Sequence, residues 1–106
     1  MLYGKRVCFI GAHPDDIELG CGALIANIQN KTEVLCLTLS DNQKNPALIT
    51  LVQEHRAAMQ VLGVKPDHDI LDSFETRNFP AARQEILETM IRIKREFKPQ
   101  IVFVHT

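Results

Sequence analysis

Four short apolar runs alternate with three stretches whose apolar residues return every three or four positions. The runs are Arg6 to Gly11, Glu33 to Leu39, His68 to Leu71 and Gln100 to His105. Each is rich in β-branched, aliphatic or aromatic side chains and reads as a strand. Between the first two, Ile17, Cys21, Leu24, Ile25 and Ile28 give a helix one apolar face. Leu48, Leu51, Val52, His55, Met59 and Leu62 do the same in a second helix, which Gly63 and Pro66 close. Ile86, Leu87, Met90, Ile91 and Phe97 mark a third, opening near Pro80 and ending before Pro99. Strand and helix in strict alternation predict βαβ units around a mostly parallel sheet, the α/β class.

Length narrows this picture. At 106 residues the chain fills one small domain or part of a larger one, and a second full domain does not fit. Composition is that of a soluble globular protein, 45% hydrophobic and 24% charged, without repeats or low-complexity tracts. A formal net charge of −1 gives no electrostatic case for nucleic acid or an anionic membrane. The first apolar run is interrupted by histidine and two aspartates too early for a signal-peptide core or a membrane span, which points to a cytoplasmic protein. Cys8, Cys21 and Cys36 are odd in number, far apart and set in apolar patterns, so buried free thiols are expected rather than disulfides or a zinc knuckle.

In a parallel α/β sheet ligands bind beyond the carboxyl ends of the strands, where the strand order reverses. That rule sorts the polar residues. His13, Asp15 and Asp16 follow the first strand, Ser40, Asp41 and Asn42 the second, and Asp72, Ser73, Glu75, Thr76 and Arg77 the third. His105 ends the fourth. Asp67, His68 and Asp69 open the third strand at the opposite end, where a solvated turn is expected.

The densest cluster is GAHPDDIELGCG, residues 11 to 22. Asp15 and Glu18 stand three apart and suit a capping box, with Pro14 stiffening the entry to the helix. Capping leaves His13 and Asp16 unexplained. Imidazole and carboxylate are good zinc ligands, and a catalytic zinc commonly keeps three protein ligands and one open position. Pro14 biases His13 toward an extended backbone, after which the chain turns into the helix, so His13 and Asp16 can converge. Asp15 would then stand beside the metal and accept a proton from water that the metal has acidified. The spacing leaves both readings open.

AHPDDIELGCGALIA resembles the opening motif of the PIG-L or LmbE-like zinc-dependent N-deacetylases, which remove acetyl groups from N-acetylglucosamine-type sugars. Further resemblance lies in LTLSD, EHRAAMQVLGV, FETRNFPAARQEILETMI and KPQIVFVHT, so it runs along the whole chain. It implies Zn2+ as cofactor, His13 and Asp16 as its ligands, and Asp15 as general base. It implies a Rossmann-like three-layer sandwich with strand order 3-2-1-4, and a small N-acetylated sugar or amine as substrate. Arg77 is a candidate substrate-binding residue through its planar guanidinium.

Two departures qualify the resemblance. Family members carry a third zinc ligand in an HxDH-like motif beyond the fourth strand, and the sequence reaches Thr106 before it. Many also have an arginine where this chain has Leu51. Residues 1–106 are therefore expected to be the N-terminal half of one deacetylase domain, with an incomplete C-terminal part, weak zinc affinity and little activity alone. His105 is a candidate extra ligand, at the correct end of its strand. His55, on the apolar face of the second helix, reads as a core histidine. Three helices would leave an edge strand and some apolar surface exposed, which a second copy or the missing half would cover. The competing reading is a Rossmann-type nucleotide-binding module. Gly20-Cys21-Gly22 gives only part of a GxGxxG pattern, and places it inside the helix rather than in the turn before it.

Overall fold

The structure is a computed structural model, and it describes residues 2–41, 50–75 and 79–104. Strand β1 (Arg6–Gly11) leads into helix α1 (Asp16–Ile28), then β2 (Glu33–Thr38), α2 (Leu51–Leu62), β3 (Asp69–Leu71), α3 (Arg83–Glu96) and β4 (Ile101–Val104). The four strands form one sheet in the order β3-β2-β1-β4, with every neighbouring pair parallel. The expected order and class are those observed.

The layering follows from the path of the chain. Crossovers between parallel strands are right-handed. The chain steps from β1 to β2 to β3 in one direction, so α1 and α2 share a face. It then returns past β2 and β1 to reach β4, which sends α3 to the other face. Strand side chains alternate accordingly. Val7 and Phe9 of β1 and Val34 and Cys36 of β2 meet Ile17, Ile25 and Ile28 of α1 and Met59 of α2. Cys8, Leu35, Leu37 and Leu39 meet Ile93 of α3 on the opposite face. Burial of each large aliphatic or aromatic side chain in these two layers contributes about 1.5–3 kcal/mol. Phe9 also stacks on Phe103 of β4, with ring centroids 5.0 Å apart.

Several expectations shift in detail. On α3 the buried stripe runs through Ile86, Met90, Ile93 and Phe97, while Leu87 and Ile91 face outward. Both stripes have helical spacing, and the sequence pattern alone does not choose between them. Val102 and Val104 of β4 are exposed as well, and among the described residues β4 has no strand on its outer side. This agrees with the expected uncovered edge. The segment before β3 is a 3-10 turn, Pro66–His68, so the strand begins one residue later than expected. Asp69 corrects the solvated-turn expectation: it is buried, because the turn delivers it beneath α2. His68 Nδ1 lies 3.0 Å from the Val34 carbonyl oxygen, and its ring meets that of Phe97 edge-on.

Two glycines are set by their surroundings. A Cβ on Gly11 would stand 3.0 Å from Ile17 Cγ1 and 3.1 Å from Asp16 Cβ, so its hydrogen lets the first turn of α1 close onto the end of β1. Gly63 ends α2 in the left-handed conformation, φ 86°, which favours glycine. The cysteines are free, with Cys8 and Cys36 buried and Cys21 half-buried, and burial raises the Cys8 thiol to about 11.

Candidate metal and catalytic site at the end of β1

Strand β1 ends at Gly11, and the chain turns through Ala12, His13 and Pro14 before α1 begins. Asp16 ties this turn together. Its Oδ2 accepts the amide hydrogens of Ala12 at 3.1 Å and His13 at 3.0 Å. The same oxygen lies 3.4 Å from His13 Nδ1. On the other side, the amides of Leu39 and Ser40 donate to the carbonyls of Gly11 and Ala12, so the end of β2 braces the turn.

That 3.4 Å separation bears on metal binding. Two ligands bound tetrahedrally at about 2.0–2.1 Å are roughly 3.3–3.4 Å apart. The His13 and Asp16 donors therefore already stand at the spacing of two positions around one zinc ion. Among the described residues no group of three His, Cys, Asp or Glu side chains gathers to hold a metal ion, and this pair supplies two donors of the types zinc takes.

Asp15 lies between the two and is exposed. It is the N-cap of α1 and holds φ 84°, ψ −26°, a left-handed conformation uncommon for a residue with a Cβ. The Glu18 carboxylate accepts its amide hydrogen at 3.1 Å in the expected capping box, and its carbonyl accepts from Leu19 at 2.8 Å. Capping and metal chemistry are alternatives when only the spacing is considered. In the structure they are compatible, because Asp15 caps the helix and still remains open to water.

Around this turn stand parts of the other loops. Ser73 donates to Asp41 Oδ2 at 2.8 Å, joining the ends of β3 and β2. The amides of Asp72 and Phe74 donate to the carbonyls of Thr38 and Leu39. Burial raises the Asp72 carboxyl pKa, against the opposing charge of Arg92. Phe79, ahead of α3, stacks on His13 with centroids 6.1 Å apart and planes 18° from parallel. No sequence signal assigned Phe79 a part, since a lone phenylalanine before a helix carries no periodicity. Arg77 and His105, together with Asn42 and Thr76, lie outside the described residues.

His55 is buried, as a core histidine should be, but its partners are charged. Its Nε2 lies 2.7 Å from Asp69 Oδ1, and its Nδ1 lies 3.8 Å from Glu18 Oε2. Arg56 reaches Asp69 Oδ2 at 2.7 Å. Burial by itself would lower the His55 pKa, but the carboxylates of Asp69 and Glu18 outweigh it and raise the imidazole to about 9. Burial would likewise raise the Asp69 carboxyl, and His55 and Arg56 instead hold it below the ordinary value. The charged letters flanking His55 in QEHRA were the available hint, though Asp69 is 14 residues away.

The glycines Gly20 and Gly22 lie inside α1, and the turn after β1 holds histidine, proline and aspartate. A glycine cradle for a pyrophosphate is not formed there. Fold and site together define a parallel α/β protein with an imidazole–carboxylate pair and an exposed carboxylate at the carboxyl end of its first strand.

Residues 8–106 match the PIG-L family, described as GlcNAc-PI de-N-acetylase, and the chain belongs to that family. Over 61 residues it is 39% identical to the "Uncharacterized deacetylase YaiS" of Escherichia coli (strain K12), a match covering 56% of this chain and 33% of that protein. The conserved protein TT1542 from Thermus thermophilus, known from a crystal structure, shares the fold at 23% identity with a TM-score of 0.71. That likeness covers 93% of this chain and 45% of the other, so the chain spans less than half the length of either relative.

Proposed function

We propose that this chain is the N-terminal, metal-binding half of an N-deacetylase domain that cleaves an acetamide to an amine and acetate. The 3.4 Å approach of His13 Nδ1 to Asp16 Oδ2, on the family's opening motif, is the observation that carries this reading. The family's description supports an N-acetylglucosamine-type sugar or related acetamide as substrate, and the name of the E. coli relative supports deacetylation.

His13 and Asp16 would hold the zinc ion, with a third ligand supplied from outside the described residues. A bound zinc ion supplies Lewis acidity, polarising the acetamide carbonyl and making water easier to deprotonate. Asp15 is the general base in this scheme, and its exposure leaves the carboxylate able to reach water. The amides donating to Asp16 and the stacked Phe79 ring keep the ligand pair oriented. In the net reaction water adds to the carbonyl carbon, the C–N bond breaks, and the leaving nitrogen takes a proton. Arg77 is proposed to meet a hydroxyl or anionic group of the substrate. Among the described residues no helix is long and apolar enough to cross a membrane. The three free cysteines support a cytoplasmic setting.

The test is acetate release by this chain and by a protein that continues it to the length of its relatives. We expect the longer protein to be active and the chain alone to be nearly inactive. Asp15→Asn in the longer protein should lower kcat by about 100- to 10,000-fold with zinc still bound. An unchanged rate in that variant would remove Asp15 as the base.

A further inference from the structure

Asp15 stands in a left-handed conformation that is uncommon for residues with a Cβ, aspartate and asparagine being among those that adopt it most readily. The left-handed region costs a non-glycine residue about 1–2 kcal/mol, and such strain persists where neighbouring structure fixes it. Here the support is shared by the Glu18 carboxylate on the Asp15 amide, the Glu18 amide on the Asp15 side chain and the Leu19 amide on the Asp15 carbonyl. The Glu18 carboxylate is itself largely buried, with 14% of the side chain exposed, and its Oε1 has no hydrogen-bond partner among the described residues. A buried carboxylate needs a compensating charge.

His55 supplies it from a different helix. Its side chain is fully buried, with Nδ1 turned toward Glu18 and Nε2 toward Asp69. A neutral imidazole has one N–H and one lone pair, and the lone pair would then face a carboxylate. Only the imidazolium presents a proton to both. Glu18, His55, Asp69 and Arg56 so form a balanced set of two negative and two positive charges joining α1, α2 and β3. Among the described residues the Cys36 thiol of β2, whose pKa burial raises, also feels the charges of Asp69 and Glu18, with Cys8 and Cys21 nearby.

We propose that His55 is a positioning residue for the turn between β1 and α1. By fixing Glu18 it holds Asp15 in the left-handed conformation and so sets the Asp15 carboxylate relative to His13 and Asp16. The 3.8 Å contact with Glu18 is an ion pair beyond hydrogen-bond range, so it restrains Glu18 by charge and leaves Oε2 free to accept from Asp15. The upward shift of the imidazole agrees with this arrangement. The catalytic meaning of this role rests on the reading of Asp15 as base, whereas the conformational role does not.

The experiment is amide hydrogen exchange on the protein that continues this chain to the length of its relatives, with zinc titrations alongside. In His55→Gln the Asp15 amide should exchange at least about tenfold faster, while amides at the centre of β1 and β2 change less than about twofold. Zinc affinity should fall in the same variant. In an Asp15→Gly background, where glycine adopts the left-handed region without strain, His55→Gln should cause no further loss of zinc affinity. Faster exchange at every amide to the same degree, or no change at Asp15, would overturn the proposal. If His55→Gln does not fold, Glu18→Gln decides by the same exchange readout, and an unaltered Asp15 amide overturns it. If exchange behaves as expected but Asp15→Asn keeps full deacetylase activity in the longer protein, the positioning stands and the base assignment fails.

Discussion

Asp16 Oδ2 lies 3.4 Å from His13 Nδ1 while accepting the amide hydrogen of His13 itself at 3.0 Å. One oxygen therefore fixes both the backbone and the side-chain side of the histidine. Removing either partner should remove a zinc ligand and loosen the other. His13→Ala and Asp16→Ala should each weaken zinc binding about a hundredfold or more, measured by competition against a chelator. Retention of wild-type affinity in either variant would exclude that residue as a ligand.

The Phe79 ring stacks on His13 at a centroid distance of 6.1 Å. Aromatic pairs at such distances contribute about 0.5–1.5 kcal/mol beyond their burial. Phe79→Leu keeps the apolar volume and removes the stacked face. Zinc affinity should fall between about twofold and tenfold with little change in Tm. A large loss of Tm instead would make Phe79 a packing residue alone.

The buried charge set gives stability a pH dependence whose sign can be worked out. The folded imidazole of His55 titrates at about 9, above its ordinary value of 6.5. Folding therefore favours the protonated form, so the contribution is fully present below about 6.5 and is lost as pH rises through about 9. Asp69 behaves oppositely, contributing above its ordinary value of 3.8 and losing that contribution as pH falls through its lower folded value. Urea unfolding between about pH 6 and 8 should show a decline on the order of 1–2 kcal/mol, and His55→Gln should abolish most of it; above about pH 9 the buried Cys8 and Cys36 thiols add a loss of their own. A flat wild-type profile over that range would mean that His55 is neutral in the fold.

Gly11 sits where β1 meets the first turn of α1. A methyl group there would press on Ile17 Cγ1 at 3.0 Å and Asp16 Cβ at 3.1 Å. Gly11→Ala should cost about 1–3 kcal/mol by overpacking, lowering Tm by roughly 4–8 °C per kcal/mol. Because Asp16 must move, zinc affinity should fall with it. An unaffected Tm and affinity would show that the turn gives way freely.

The architecture was legible in the amino-acid order, and so was the place of the candidate site. Apolar periods of two and of three to four residues mark the strands and helices, and right-handed crossovers then limit the order of the sheet. GAHPDD after the first strand places a histidine and two aspartates at the ligand end, because that end is a property of parallel sheets in general. Choices between equivalent local patterns, and contacts distant along the chain, were left to the folded molecule. Leu87 and Ile91 share the helical spacing of Met90 and Ile93, and only the sheet beneath α3 determines which stripe is covered. Asp69 and His68 look like parts of an exposed turn until the 3-10 turn before β3 puts Asp69 under His55. His55 reads as core, and it is core, but its Nε2 lies 2.7 Å from a carboxylate 14 residues away, which favours the charged form. Burial is a local preference and can be read from period. Pairing of buried charges depends on which elements the fold brings together, and no local pattern encodes it.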